Sequence, residues 1–542
     1  MKIKKLIIRD YKNVSNEILE FDTDLTTLII GQNGLGKSNL LEAITIIFVA
    51  LSNVDEHLNL SNLDGRYLSF EIDYLLKGKS INIKYGLDNT YQIKIDDHIF
   101  KLKDKNGNYN SKIIDKINKD LLPDYFVTYY SGQNKRLENI LKKFEDNYIN
   151  GLKQNKETTN LTERRKFLYL KNFHAPILML VLMIFKDIKI INKLDHTKQI
   201  LNLLNYLNIE NIESFSIKVN SPEWITRLFS TKITENFKIE KRFTEFIQMY
   251  LGEEEKYDYP FWTLKSSIDK LLKCLSFSTE IINYDNAEEI KNLSEFKETI
   301  EFNDILIEEF KEHVTKHFST PLELFYALES LVLLDMLDIQ NDLKFEIKKR
   351  HYTSNSKNLS YESLSEGENQ LFIVLGIILI TGIEETIFLL DEPDTYLNPK
   401  WQRDYINLLE DFNLEDDDSH IFVTTHSPLL VQNIGCNDNY KFDLLLLHRD
   451  EDGSVKFDTK DSIIPNWRID QVLASKYFDF VSTRPVSIDD FMVKRLEIIH
   501  SFKDFETAKL ELKNYEDENG YLPTGETITE IESLSFLKSI KK

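Results

Sequence analysis

Eight consecutive residues carry the clearest chemical signal in the chain: Gly31, Gln32, Asn33, Gly34, Leu35, Gly36, Lys37 and Ser38. Glycines at this spacing let backbone N–H groups curl around phosphate oxygens. The lysine can then reach the β- and γ-phosphates of a nucleotide, and the serine hydroxyl can ligate Mg2+. Context supports that chemistry, because the apolar run Leu25 to Ile30 reads as a strand before the loop and helical spacing of Leu40, Leu41, Ile44 and Ile47 follows it. The bland alternative is a glycine-rich turn that opens a helix. Nucleotide contacts are expected at Asn33, Gly34, Leu35, Gly36, Lys37, Ser38 and Asn39, with the helix N-terminus adding positive potential.

Two further clusters lie far downstream. Ile387 to Leu390 is an apolar strand that ends in Asp391 and Glu392, which suits delivery of Asp391 to Mg2+ and of Glu392, as a base, to an attacking water. A strand ending in Asp-Glu is common by itself; its pairing with the phosphate loop gives it weight. Leu364-Ser365-Glu366-Gly367-Glu368 precedes an apolar helix, so Ser365 and the N–H groups of that turn can cap a γ-phosphate.

With these three clusters in place the chain resembles the ABC ATPases, and its signature resembles their SMC-like branch. In transporters the signature reads LSGGQ, whereas here Glu366 is third and Glu368 fifth. The resemblance implies an ATP-hydrolysing enzyme that uses ATP and Mg2+. It assigns a Q-loop role to Gln133, touching Mg2+ or the attacking water, and a switch role to His426 at the γ-phosphate. Asp394 to Pro399 resembles the D-loop, with Asn398 where many transporters carry an aspartate, a departure that bears on coupling between two sites. The family works as head-to-tail dimers, so Ser365, Glu366 and Gly367 are expected to act on a partner's nucleotide and the chain to form a homodimer or higher homo-oligomer.

The elements that must position these residues follow from pattern. The length of 542 residues exceeds one hydrophobic core, which stops growing near roughly 250 to 300 residues. Strand-like runs Ile3–Ile8, Ser69–Leu75, Ile81–Tyr85 and Tyr91–Ile95 make an N-terminal ATPase lobe over 1–137. Residues 138–355 read as helical, broken by Pro176, Pro222, Pro260 and Pro321 and lacking sustained heptads, so a compact helical insertion is predicted rather than a long coiled coil. Helix and buried strand alternate again over 356–460, the second ATPase lobe, and 461–542 is an accessory or docking segment. The predicted fold class is α/β: an ABC-type P-loop NTPase head, with a mixed-sheet lobe and a doubly wound core.

Composition narrows the partners. Hydrophobic residues at 42% and charged residues at 29% exclude a disordered chain, and a net charge of −22 argues against a simple DNA-coating protein, leaving nucleic-acid contact to a local basic face. Arg164, Arg165 and Lys166, with Lys153 and Lys156 nearby and Phe167 and Tyr169 as stacking faces, form the best such face; an ordinary helix surface is the equal alternative. Two cysteines without metal-type spacing, no export signal at Met1 to Asp10, and no apolar run of about 20 residues predict a cytoplasmic protein without membrane association. His313 and His317 lack a third ligand, and the acidic runs Glu253–Glu255 and Glu415–Asp418 read as solvated loops.

Within the SMC-like ATPases, the core resembles chromosome-associated SMC proteins, RecF-type repair ATPases, OLD-family nucleases and ATPase subunits of anti-phage systems. Arg449 to Gly453 reads as a solvated turn rather than a nuclease motif of the OLD kind. Trp467 to Ser475, followed by Phe478 and Ser482-Thr483-Arg484, resembles the tail of Septu-type anti-phage ATPase subunits (PtuA), including retron-associated versions. That resemblance implies a separate HNH nuclease partner and, in retron versions, a reverse transcriptase with its DNA or RNA product. A RecF- or SMC-like repair ATPase and an ATP-dependent scaffold with little turnover remain the alternatives.

Overall fold

The computed structural model describes residues 1–9, 11–14, 17–21, 26–52, 68–86, 90–100, 102, 110, 113–114, 121–153, 165–188, 197–222, 267–279, 282–284, 299–350, 358–381, 384–412, 419–432, 442–450, 453–459, 468–475, 478, 486–501, 504–519, 527–529 and 531–533. They fall into two units, one of residues 1–427 and 437–462, the other of 428–436 and 463–542.

The first unit is organised by a seven-stranded sheet. From edge to edge its strands are Val455–Thr459, Phe442–Arg449, Thr26–Ile30, Ser419–Thr425, Thr386–Asp391, Tyr125–Tyr130 and Phe167–Leu170, all parallel except the first. Runs such as Ile387–Leu390 and Ile421–Val423 are apolar at every position because both faces of a parallel sheet are covered. Register then decides where chemistry can occur. Asp391 lies beside Thr424 on one side and Tyr130 on the other, and Thr425 lies beside Ile30, so the loops that begin at Gly31, Ser131, Glu392 and His426 leave the sheet at one level. That carboxyl edge is where open α/β sheets bind ligands.

A second sheet, antiparallel throughout its described strands, runs Glu17–Glu20, Lys2–Arg9, Ser69–Leu76, Lys79–Tyr85, Tyr91–Ile95 and His98–Phe100. Its alternating inner residues Phe70, Ile72, Ile81 and Ile83 belong to the core that also holds Ile44, Ile47 and Phe48 of the helix Lys37–Ser52. That core fixes the helix whose first turn carries Lys37 and Ser38.

The segment read as a helical insertion needs correction. It does contain the helices Arg136–Lys153, His174–Phe185, Thr197–Tyr206, Ser267–Phe277, Ile307–His317 and Pro321–Leu333, yet it also carries an antiparallel sheet. The order is Ile282–Tyr284, Thr299–Leu306, Ile209–Asn220, Leu343–Lys349 and Leu359–Ser360. Ile217 and Val219, and likewise Leu343, Phe345 and Ile347, alternate inward at period two, a pattern masked in the sequence by intervening lysines and glutamates that suit helices equally well. Strand Phe167–Leu170, within the same segment, extends the main sheet instead.

The two longest apolar runs are buried helices. His174–Phe185 is buried at every residue, and it packs on Glu366–Thr381 where Gly376 leaves room for Leu178: a Cβ there would stand 3.3 Å from the Leu178 Cβ. In the second unit, helices Asp489–Ser501 and Phe505–Asn519 share a small core of Phe491, Ile498, Ala508, Leu512 and Ile531.

Candidate functional site

The glycine loop has the backbone its sequence requires. Gly34 and Gly36 adopt φ of 82° and 100°, the left-handed region that glycine enters without a Cβ penalty. Lys37 is 5% exposed, and its ammonium donates to the carbonyls of Gly31 at 2.8 Å and Gln32 at 3.2 Å. Burial lowers the Lys37 pKa, while the nearby charges of Glu392, Asp391 and Asp394 work to raise it. Asn33 and Gly34 are exposed, Leu35 is buried, and Ser38 and Asn39 are half-buried.

A group that sequence reasoning missed braces this loop. Asn13 donates to the Leu35 carbonyl at 2.6 Å and accepts from Asn39 Nδ2 at 2.6 Å, and Arg136 Nη1 donates to Asn39 Oδ1 at 3.3 Å. Asn13 sits in the tight turn Tyr11–Val14, where Lys12 has φ of 52° and pairs with Glu42 at 2.5 Å. Nothing in the local sequence marks a residue so far upstream of the loop as its support.

The strand ends bring the acids to the loop. Asp391 is 2% exposed and accepts from the Thr424 hydroxyl; burial raises its pKa, while hydrogen bonds from Thr424 and Ser38 pull it back. Ser38 and Asp391 are thus a hydroxyl and a carboxylate, brought close enough to interact, that fit a Mg2+ ion. Glu392 has φ of 52°, an uncommon conformation for a residue with a side chain and one found at strained functional positions. Its backbone N–H is held by the Thr424 carbonyl and hydroxyl, each at 3.1 Å. His426 Nδ1 lies 3.2 Å from Glu392 Oε1, and that hydrogen bond lowers the Glu392 pKa and raises that of His426.

Gln133 lies on the loop after Tyr125–Tyr130 and is exposed. What ties this loop to the site is Ser131, whose hydroxyl meets that of Thr395 at 2.9 Å and whose N–H donates to the Asp391 carbonyl at 3.3 Å.

The signature turn is a capping box. Ser365 Oγ accepts from the Glu368 N–H at 3.3 Å, and the Glu368 carboxylate accepts from the Ser365 N–H at 2.8 Å, with Lys349 paired to the same carboxylate. Ser365 and Glu366 are exposed. Gly367 is buried under the D-loop: a Cβ there would stand 2.7 Å from the Tyr396 carbonyl oxygen. Gln370 fastens the same contact, accepting from the Tyr396 N–H at 3.2 Å and donating to the Tyr129 hydroxyl at 3.2 Å. Asn398 caps the helix Pro399–Phe412 by accepting from the Trp401 N–H at 3.0 Å, which gives the asparagine its local role.

Of the basic face expected around Arg165, the arginine itself is turned inward, while Lys153 is exposed. Arg165 is 3% exposed and pairs with Glu329 at 2.9 Å, and Phe167 and Tyr169 are buried beside the helix Arg136–Lys153. The cause is the pairing of Phe167–Leu170 with Tyr125–Tyr130 in the main sheet, where all four of its residues are buried rather than displayed as on a surface helix. Lys156 and Arg164 lie outside the described residues, as do Glu253–Glu255, Glu415–Asp418, Trp467, Ser482-Thr483-Arg484 and Cys436. His317 is exposed and His313 packs on Phe277 at 5.6 Å; among the described residues no three His, Cys, Asp or Glu side chains group as metal ligands. Asp450 and Gly453 close a hairpin turn, with the Gly453 N–H donating to the Asp450 carbonyl at 2.9 Å. No helix among the described residues is long and apolar enough to cross a membrane.

A glycine loop cradling a buried lysine, flanked on one sheet edge by an Asp-Glu strand end and a histidine, is the construction of a P-loop ATPase of the ABC type. The chain belongs to the family described as "AAA domain, putative AbiEii toxin, Type IV TA system", matched over residues 26–432. A stretch of 82 residues is 34% identical to the DNA double-strand break repair Rad50 ATPase of Archaeoglobus fulgidus, covering 15% of this chain and only 9% of that protein. Distant solved structures include the SMC head domain from Thermotoga maritima, at TM-score 0.31 and 10% identity over 85% of this chain and 100% of that one. The ATP-bound recombination mediator RecF follows at TM-score 0.28 and 18% identity, over 84% and 97%.

Proposed function

We propose that this chain binds ATP on the Gly31–Ser38 loop and hydrolyses it, serving as the sensor or regulatory ATPase of an anti-phage complex that controls a separate HNH nuclease of the Septu or retron type. The observation that supports the ATPase chemistry is the convergence of Lys37, Ser38, Asp391, Glu392 and His426 on one sheet edge. Loop N–H groups and Lys37 bind the phosphates. Ser38 and Asp391, with Gln133 from the neighbouring loop, would hold Mg2+, which when bound neutralises phosphate charge. Glu392 takes a proton from the attacking water, and His426 aligns the γ-phosphate against it. The exposed Ser365 and Glu366, with the buried Gly367 that shapes their turn, complete the site of a second copy, so the working form is a homodimer or a higher assembly.

The defence role rests on the resemblance of residues 467–484 to Septu-type subunits and on a family description that includes toxin–antitoxin systems. The 82-residue likeness to Rad50 favours a second reading, a repair ATPase with no nuclease subunit. Purified parent should turn over Mg·ATP, and Glu392→Gln should bind it while turnover falls at least ~100-fold. Equal turnover in both would point to an ATP-dependent scaffold. Co-purification from native cells with an HNH nuclease, with or without a reverse transcriptase, supports the defence role; binding to DNA ends or gaps without a nuclease supports repair.

A further inference from the structure

The residues on either side of His426 belong to a closed ring of hydrogen bonds. Thr425 Oγ1 donates to Asp394 Oδ2 at 2.9 Å and accepts from the Ser427 backbone N–H at 2.9 Å. Ser427 Oγ donates to Gln402 Oε1 at 3.0 Å, and Gln402 Nε2 donates to the Asp394 carbonyl at 3.1 Å. The ring thus joins the turn after Glu392, the end of the strand Ser419–Thr425 and the first turn of the helix Pro399–Phe412. Asp394 and Thr425 are 2% and 0% exposed and Ser427 is buried, whereas His426 between them is 45% exposed and meets Glu392 at 3.2 Å.

We propose that Asp394, Thr425 and Gln402 are positioning residues, whose ring fixes the His426 imidazole against the Glu392 carboxylate without touching the nucleotide. The inference rests on the reading of His426 and Glu392 as the reacting pair. Three features support it. Glu392 and Asp394 share one turn, with the Thr395 hydroxyl donating to the Glu392 carbonyl at 2.9 Å, so a pull on Asp394 is felt at Glu392. Threonine at 425 follows the apolar Ile421–Val423 run in a fully buried strand, where valine would serve packing as well and only the hydroxyl closes the ring. Asp394 stands here although burial pushes its pKa up to about 6, a penalty that an apolar or amide side chain would avoid.

The test is a double-mutant cycle with Mg·ATP as the probe. Thr425→Val should lower kcat ~10-fold with KM changed less than about twofold, and Thr425→Ser, which restores the hydroxyl, should recover most of the rate. In a His426→Ala background the same valine should change the residual rate less than about twofold, because nothing is left to position. Equal losses in both backgrounds, or none in the parent, would overturn the proposal. An NMR titration of histidine-labelled protein reads the ring independently of turnover: Thr425→Val should return His426 toward its ordinary pKa, and an unmoved titration would overturn the ring's role. A parent whose turnover ignores His426→Ala would instead overturn the ATPase reading of His426, and the titration would still decide the ring.

Discussion

Replacing Asp394 with asparagine should stabilise the protein at neutral pH. The carboxyl is 2% exposed; one oxygen takes the Thr425 hydroxyl and the other has no hydrogen-bond partner among the described residues. Burial pushes its pKa from 3.8 to about 6, so the folded chain holds this proton more tightly than the unfolded chain does. The group's favourable contribution is therefore complete below pH 3.8 and lost as pH rises through about 6. Roughly two units at ~1.4 kcal/mol each leave a penalty of about 3 kcal/mol at pH 7.5, shrinking to about 1 kcal/mol at pH 4.5. Asparagine keeps an acceptor for Thr425 and removes the charge, but its amide brings a buried donor that costs about 1 kcal/mol or more to leave unpaired. A net gain of about 1–2 kcal/mol at pH 7.5 follows, vanishing near pH 4.5. Urea denaturation of parent and Asp394→Asn at the two pH values measures it. A variant less stable than the parent at pH 7.5, or a gap equal at both pH values, would refute the reasoning.

Two other predictions concern the reaction. The Glu392–His426 pair is stabilising above the ordinary Glu392 value of 4.5 and below the ordinary His426 value of 6.5; it is lost as pH falls through the lowered Glu392 pKa or rises through the raised His426 pKa. Loss of the imidazolium breaks the pair that orients the two side chains, so kcat for Mg·ATP should fall as pH rises through the raised His426 pKa, and this limb should be missing from the residual activity of His426→Gln. Gly367→Ala places a methyl 2.7 Å from the Tyr396 carbonyl and should cost about 1–3 kcal/mol by moving the D-loop. Its turnover should fall while nucleotide affinity of the isolated chain stays near that of the parent, as equilibrium titration with a fluorescent ATP analogue would show.

Much of the site was legible because its parts are short and contiguous. The loop Gly31–Ser38, the strand end at Asp391 and Glu392, and the turn before the helix Glu366–Thr381 each carry residue type, spacing and flanking periodicity within a dozen residues. The supports were not legible, since Asn13 reaches Leu35, Gln370 reaches Tyr129 and Asp394 reaches Thr425 through tertiary contacts with no local pattern. The parallel core could be read from its unbroken apolar strands, whereas the sheet around Ile209–Asn220 could not, because its lysines and glutamates alternate with apolar residues in a way that a helical reading also accommodates. Arg165 failed for a related reason: a basic run says nothing about burial, and this arginine is held inside by Glu329.

The central claim, a nucleotide site shared between two copies, has a direct test by complementation. Lys37→Ala removes the proposed phosphate lysine, and Ser365→Arg blocks the signature turn proposed to serve a partner copy; each variant alone should show little turnover of Mg·ATP. An equimolar mixture should regain activity, because a mixed dimer contains one site with an intact Lys37 from one copy and an intact Ser365 from the other. A mixture as inactive as its components, when both variants are folded and associate, would contradict the shared site.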